Sequence, residues 1–201
     1  MSEFPDTPTQ AEEIQAELER CRNYLRFLAD IKLHRRLRRQ IDPSDMVQET
    51  MLKAYAAWDK FAGSEPGQRV AWLRQILMRT ILHALRDAHC AKRDIAREQR
   101  LEGLIEESSR RIEQCLAADE SSPSAAVQQA EELMRVADAV YQLPEAERIA
   151  VVGYYWQGGT LSEISETLGR SAPAVAGLVH RGLRRLRGQL IDMDSRELTN
   201  T

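Results

Sequence analysis

The sequence predicts an all-α protein with two small helical domains joined by an acidic linker. Aromatic residues make up only 5% of the 201 residues, whereas Leu, Ala, Arg and Glu, which suit helices, are abundant. Apolar residues recur at spacings of three and four, which is the pattern of amphipathic helices. The 121–124 segment, in which Pro123 stands among serines, interrupts this pattern and is the best linker candidate.

The first domain is predicted to contain three helices. Apolar residues at helical spacing over 14–28 form the stripe of a first helix. A second helix is expected over about 44–60, with Asp42 or Ser44 capping its free amides. A turn rich in glycine then precedes a long third helix over about 68–89.

The second half of the chain also has a helical pattern. An acidic amphipathic stretch over 101–115 is predicted to be helical, and the stripe over 133–141 predicts another helix. The β-branched and aromatic run over 149–156 is assigned to a helix, with a strand as the alternative. A T-x-x-E capping box opens a short helix over 160–169 that ends in glycine, and Ser171 is expected to cap the last helix.

Charge alternates in sign along the chain, although the total is only −3. The net charge is +7 over 31–100, −8 over 101–147 and +4 over 148–190. Two basic blocks separated by an acidic one suggest two modules that each contact a polyanion. Charge alone leaves open the alternative of chance fluctuation and solvated helix faces.

Composition also argues against several classes of protein. The longest apolar run has eight residues, far fewer than the roughly 20 that span a bilayer. Because the first ten residues are polar and acidic, no secretory signal and no membrane contact are expected, and the chain is expected to be cytoplasmic. Three separated cysteines fit reduced thiols. The four histidines are scattered, so no metal, cofactor or enzymatic activity is expected.

The 160–187 segment has the pattern of a helix-turn-helix, with a short capped helix, a tight turn and a longer helix rich in arginine. At 100° per residue, Gly177, His180, Arg181 and Arg184 lie opposite the apolar side of the longer helix. Arginine suits this face because its planar fork matches phosphate oxygens and the guanine edge. A helical hairpin with a solvated basic face is the alternative.

The third helix carries an aromatic ring among basic residues. The same rotation separates Trp72, Arg79, His83 and Arg86 from its apolar face. A ring among cations is suited to stack on an unpaired base while the backbone is held electrostatically. Trp72 packed against a neighbouring helix is the alternative.

The second helix predicts a different kind of surface. Asp45, Gln48, Glu49 and Leu52 lie together, opposite the apolar side. Within an otherwise basic module, this acidic and amide cluster fits a docking surface for a basic protein partner.

These motifs together resemble the extracytoplasmic-function subgroup of bacterial sigma factors. The 42–61 segment resembles the helix by which these proteins bind the clamp of the largest polymerase subunit. The 71–86 segment resembles the segment that melts the promoter at the minus-ten element, and 143–187 resembles the fourth region, which binds the minus-thirty-five element. The matching motifs span about 20–100 and 131–190.

The resemblance implies an initiation factor that binds the clamp and flap of core RNA polymerase and promoter DNA, performs no chemistry, and has an anti-sigma partner. It implies core-polymerase contacts by Asp45, Gln48, Glu49 and Leu52. It implies minus-ten contacts by Trp72, Arg79, Thr80, His83 and Arg86, and minus-thirty-five contacts by Ser171, Ala174, Gly177, His180, Arg181 and Arg184. Thr80 stands where the family commonly has asparagine, and Ala176 and Leu178 stand where basic residues are common.

The predicted domain boundaries follow from these matches. Residues 1–12 form a disordered tail, 13–100 form region 2, 101–130 form the acidic linker, 131–190 form region 4, and 191–201 form a C-terminal tail. The linker is expected to thread the polymerase channel as an RNA mimic or to fold back over the basic modules. A helix-turn-helix regulator that binds duplex DNA without polymerase is the competing function, and it has no use for an acidic docking surface.

Overall fold

The computed structural model describes residues 9–34, 37–38, 40–61, 63, 66–90 and 123–199. These residues form eight α-helices and contain no strand, which confirms the all-α prediction. The helices are α1 Gln10–Arg20, α2 Arg22–Lys32, α3 Pro43–Ala56, α4 Pro66–Cys90, α5 Pro123–Tyr141, α6 Glu145–Tyr155, α7 Leu161–Leu168 and α8 Ala172–Thr199. The run predicted as a helix or a strand therefore belongs to α6.

The predicted first helix is two helices, α1 and α2, which meet at Cys21. The Cys21 amide donates to the Leu18 carbonyl at 3.1 Å, three residues back, so the chain tightens there before α2 begins. A capping box at Thr9 and Glu12 starts α1. Helix therefore begins within the predicted 1–12 tail, of which residues 1–8 lie outside the described residues.

The start of α3 follows the sequence pattern closely. Asp42, rather than Ser44, provides the cap, because its carboxylate accepts the Ser44 amide at 2.8 Å. Pro43 occupies the first turn, where its missing N–H costs nothing. The helix ends at Ala56, and a short 3₁₀ helix at Trp58–Lys60 continues the chain toward α4.

Two boundaries in the second half differ from the prediction. Helix α5 begins at Pro123, inside the predicted linker, because proline suits a first turn and the alanines that follow favour helix. Helix α8 continues to Thr199, into the predicted C-terminal tail, because neither glycine nor proline follows Gly188. The rest of the linker, including the amphipathic 101–115 stretch, lies outside the described residues.

The helix-turn-helix has its own small core. The capping box of α7 is confirmed, since the Glu163 amide donates to Thr160 Oγ1 at 3.3 Å. Gly169 ends α7 with a φ of 61°, in the left-handed region that favours glycine. Five buried residues fill the space between α6, α7 and α8: Ala150, Ile164, Val175, Leu178 and Val179.

The remaining helices share one larger core. Buried side chains of α1 to α4 form a cluster that also includes Ala137 and Val140 of α5, Val152 of α6 and Leu186 of α8. The two halves of the chain therefore pack directly against each other. Among the described residues, no helix is both long enough and apolar enough to cross a bilayer.

Candidate polymerase and nucleic-acid interfaces

The outer face of α3 has the predicted acidic character. Asp45, Gln48 and Glu49 are exposed, and Leu52, in the C-terminal half of this helix, is 68% exposed. The opposite side of α3 is fixed against the core by the buried residues Met46, Val47, Thr50 and Ala54. The four predicted docking residues therefore share one solvent-facing surface, which we call the α3 face.

Thr80 is not part of the DNA-binding surface predicted for α4. Its side chain is only 2% exposed, and Lys53 Nζ donates to Thr80 Oγ1 at 3.2 Å. Because α3 covers this position, the expectation that Thr80 contacts DNA is corrected. Lys53 Nζ also lies 2.7 Å from Glu49 Oε1, so one ammonium group links the α3 face to α4.

The basic residues on α4 are where the helical rotation placed them. Arg79, His83 and Arg86 are all exposed, and their spacing of four and three puts them on one side of the helix. We call this surface the α4 face.

Trp72 is partly buried rather than free. It stacks on Phe61 with ring centroids 4.9 Å apart and meets the edge of Trp58 at 6.1 Å. Trp72 therefore packs against neighbouring aromatic residues, as the alternative prediction stated, while part of its ring remains exposed. Trp58 and Phe61 lie in the connection between α3 and α4, where helical periodicity gives no signal that they would meet Trp72.

The recognition helix α8 presents the predicted minus-thirty-five residues on one surface. Ser171, Ala174, His180, Arg181 and Arg184 are exposed, and Gly177 is partly buried. Ser171 immediately precedes α8, at the position predicted for a cap. We call this surface the α8 face.

A buried carboxylate lies behind the α8 face. Glu147, in the first turn of α6, is 6% exposed. Arg181 Nε lies 3.7 Å from Glu147 Oε1, and Arg185 Nε lies 3.1 Å from Oε2. Sequence reasoning assigned Glu147 only to the helix dipole, because a first-turn glutamate on the surface and one facing another helix look alike in one sequence.

Polar contacts at Asp30 join the two halves of the chain. Arg38 Nη1 lies 3.0 Å from Asp30 Oδ1, and the Tyr141 hydroxyl donates to Oδ2 at 2.5 Å. Gln157 Nε2 donates to the Asp30 carbonyl at 2.9 Å. Burial, followed by the neighbouring Asp30 charge, raises the pKa of the Tyr141 phenol well above its usual value.

Other contacts extend this junction along α2. Asn23 Nδ2 donates to Asp138 Oδ1 at 2.9 Å, and Phe27 meets the edge of Trp156 at a centroid distance of 5.1 Å. The junction covers neither the α3 face nor the charged residues of the α4 and α8 faces, all of which are exposed.

Cys21 has the character of a packing residue. Cys21 is 5% exposed, and burial raises the pKa of its thiol to about 11, which suppresses the reactive thiolate. In the described ranges, no group of three His, Cys, Asp or Glu side chains is arranged to hold a metal ion.

The structure combines a basic helix-turn-helix with a second helical module that has one acidic and one basic face. This combination is typical of proteins that recognise nucleic acids. Comparison with protein families agrees: the sigma-70 region 2 model matches residues 21–89, and the sigma-70 region 4 model matches residues 139–188. The two matches together cover more than half of the chain.

Curated relatives carry the same assignment. The RNA polymerase sigma-E factor of Streptomyces coelicolor is 25% identical over 160 residues, covering 79% of this chain and 78% of the relative. The protein of the same name from Streptomyces avermitilis is 26% identical, covering 79% and 77%. The chain belongs to the sigma-70 family and is an RNA polymerase sigma factor of the extracytoplasmic-function type, which directs transcription initiation. Membership of the sigma-70 family favours the function of a sigma factor over that of a helix-turn-helix regulator that acts without polymerase.

Proposed function

We propose that the three faces divide the work of initiation: the α3 face binds core polymerase, the α4 face holds melted minus-ten DNA, and the α8 face binds the minus-thirty-five element. The observation that carries this proposal is the separation of charge on the surface. The acidic residues Asp45 and Glu49 lie on a different helix from the basic stripe of α4, and both surfaces are open to solvent.

The α3 face suits a protein partner better than DNA. Leu52 provides an exposed apolar side chain at one end of the face, and the acidic side chains on its N-terminal side would repel phosphate but attract a basic surface. A large apolar side chain that becomes buried on binding is a candidate for the few residues that dominate binding energy. We assign this face to the clamp of the largest polymerase subunit.

The α4 face suits single-stranded DNA. Arg79, His83 and Arg86 provide a cationic track for the backbone, and the Trp72 and Phe61 stack offers an aromatic edge for a base. Captured bases repay about 1–3 kcal/mol each in stacking. Strand opening can therefore be driven by binding alone, without chemistry or a cofactor.

The α8 face suits the major groove of duplex DNA. Basic side chains face outward from the second helix of a helix-turn-helix, which is the geometry by which such helices contact bases and phosphates. The family also supports further partners for this module, the polymerase flap and an anti-sigma factor. A chain that works on chromosomal promoters acts in the cytoplasm.

Promoter binding requires the two modules to separate. Elements at minus ten and minus thirty-five lie about 25 base pairs apart, which is ~85 Å at ~3.4 Å per base pair. A packed chain of this length measures roughly 45 Å across. Contact with both elements at once therefore requires the Asp30 junction to open, with residues 101–122 supplying the connection.

The experiment is a titration of sigma-free core polymerase with the full chain. Replacement of Asp45, Gln48 and Glu49 by alanine is expected to weaken core binding by about 100-fold or more, because it removes both carboxylates and the amide that would pair with a basic surface. The matched control replaces Glu13, Gln142 and Glu166, which are exposed elsewhere and change the net charge equally. Equal affinities for the two triple variants would overturn the assignment of the α3 face.

A further inference from the structure

Glu147 is held at the junction of α6 and α8 by close backbone packing. A Cβ atom at Gly182 would lie 2.6 Å from Val151 Cγ2, 3.3 Å from Glu147 Cβ and 3.4 Å from the Glu147 carbonyl oxygen. Only glycine lets α8 approach α6 this closely. The Glu147 side chain, 7% exposed, consequently lies directly behind the outer surface of the recognition helix.

The buried carboxylate holds two arginines by one end only. Arg181 Nε lies 3.7 Å from Glu147 Oε1 and Arg185 Nε lies 3.1 Å from Oε2, which accepts no hydrogen bond, so these contacts are ion pairs; the two arginine side chains remain 49% and 58% exposed. A buried carboxylate requires cationic compensation, so release of both arginines into solvent would be costly. The ion pairs therefore restrain both side chains near their Nε atoms.

The restraint gives Arg181 a defined direction. Its Nη1 lies 3.2 Å from the position that a Cβ atom would occupy at Gly177, so the guanidinium lies along α8, one turn toward its N-terminus. The N-terminal part of a recognition helix meets base edges. With Nε turned to Glu147, both terminal nitrogens remain available for the paired hydrogen bonds by which arginine recognises guanine.

Arg184 provides a contrast on the same face. It is exposed, and within the described part of the chain no ion pair restrains it. An exposed arginine without an ion pair of this kind suits a phosphate, which can be approached from many directions, whereas a base edge requires a fixed orientation.

We propose that Glu147 is a positioning residue that sets the base specificity of Arg181 in the minus-thirty-five element, whereas Arg184 contacts phosphate. The inference rests on the proposed DNA contact of the α8 face. Glu147 itself touches no DNA, and its effect reaches the base pair through the orientation of one guanidinium.

The test uses holoenzyme reconstituted from the full chain and core polymerase. Its substrates are a promoter duplex identified by the wild-type holoenzyme, every single base-pair variant of the upstream element, and an unrelated duplex. Glu147→Gln is compared with Glu145→Gln, which makes the same charge change at an exposed position of the same turn. Affinities are measured at several salt concentrations, since phosphate contacts are salt-dependent.

Glu147→Gln and Glu145→Gln are expected to differ in how well they discriminate between base pairs. Glu147→Gln should lose about tenfold in discrimination at one base pair while its affinity for the unrelated duplex rises, because the arginines lose their carboxylate partner. Glu145→Gln should keep full discrimination. Glu147→Asp retains the charge but shortens the reach, so it should lose discrimination without binding the unrelated duplex more tightly.

Three outcomes would contradict either the positioning role of Glu147 or the proposed DNA contact of the α8 face on which it rests. Wild-type discrimination in Glu147→Gln would overturn the positioning role. A uniform loss of affinity for all duplexes, together with a lower unfolding temperature, would mean that Glu147 is only structural and would also overturn it. Absence of any upstream preference in the wild-type holoenzyme would instead contradict the proposed function of the α8 face.

Discussion

The two regions of this sigma factor that we propose bind DNA differ in the core behind them. The α4 face is backed by a cluster of buried side chains that extends over α1 to α4 and into α5. The N-terminal part of the α8 face is backed by a smaller cluster of five buried residues, and among the described residues Leu186 of α8 reaches the larger cluster. The small helix-turn-helix therefore depends on local devices, namely the capping box at Thr160, the left-handed Gly169 and the close approach at Gly182.

Electrostatics differ between the two regions as well. In the first module, acidic and basic surfaces lie on adjacent helices, and Lys53 bridges Glu49 and Thr80 between them. In the second, the acidic group Glu147 is buried behind a basic surface. The first arrangement exposes surfaces of opposite charge on adjacent helices, whereas the second covers its acidic group with basic side chains.

The strongest test of this difference is a pair of glycines on α8. Gly182→Ala places a methyl group 2.6 Å from the buried Val151 side chain and is expected to destabilise the helix-turn-helix by about 2 kcal/mol. Gly188→Ala meets nothing within 4 Å and should stabilise α8 by about 0.5–1 kcal/mol. Hydrogen exchange should show lost protection over 145–190 in the first variant only. Equal effects would mean that α6 and α8 are not in close contact.

The junction between the modules has an expected effect of similar size. Tyr141→Phe removes the hydrogen bond to the Asp30 carboxylate and is expected to cost about 1.5–3 kcal/mol of unfolding free energy. Tyr155→Phe, at an exposed position, is the control and should change little. An equal loss of unfolding free energy in both variants would contradict the hydrogen bond between Tyr141 and Asp30 at the junction.

The same residue predicts a pH dependence. Because the pKa of Tyr141 is raised in the folded chain, the folded state retains its phenol proton at pH values where the unfolded chain loses it. Stability from this group is complete below the ordinary phenol pKa of about 10 and declines as pH rises above it. Equilibrium unfolding should show this decline in the wild type and a shallower one in Tyr141→Phe. Identical profiles would mean that the phenol is not buried.

The two capping boxes give a matched comparison of smaller size. Thr9→Ala and Thr160→Ala each remove a side-chain cap, with an expected local cost of about 1 kcal/mol. In α1 the loss should only fray the first turn, whereas in the small helix-turn-helix it should lower protection throughout α7. Hydrogen exchange resolved along the chain distinguishes these responses. If the loss of protection extended equally far in both modules, the size of the core would not determine how far the loss of a cap propagates.

The smallest predicted effect concerns Lys53. Since Lys53 and Glu49 are about half exposed, the bridge is worth about 0.5–1 kcal/mol at most. A double-mutant cycle of Lys53→Met and Thr80→Val should give a coupling energy of this size, and Lys60→Met with Thr80→Val should give none. Zero coupling in both cycles would show that the bridge does not form in solution.

Sequence patterns predicted the local features of this fold because those features are local in origin. Helical periodicity located the buried sides of α3 and α4, and turn chemistry located the ends of α7. The family resemblance, not the helical rotation, predicted that Thr80 contacts DNA, and which helix covers a side chain depends on packing between distant segments. Cys21, where one predicted helix divides into two, and Asp30, which joins the modules, depend on the same tertiary packing and give no signal in a single sequence.

Transcription from genomic DNA fragments tests the division of labour most directly. Core polymerase would be supplied with the wild-type chain, the triple alanine variant of the α3 face, or Arg181→Ala with Arg184→Ala, and RNA start sites would be mapped. The wild type should yield discrete starts, the α3 variant none, and the arginine variant a loss of promoter-specific starts with core binding retained. Unchanged starts with the α3 variant, or loss of core binding with the arginine variant, would contradict the account.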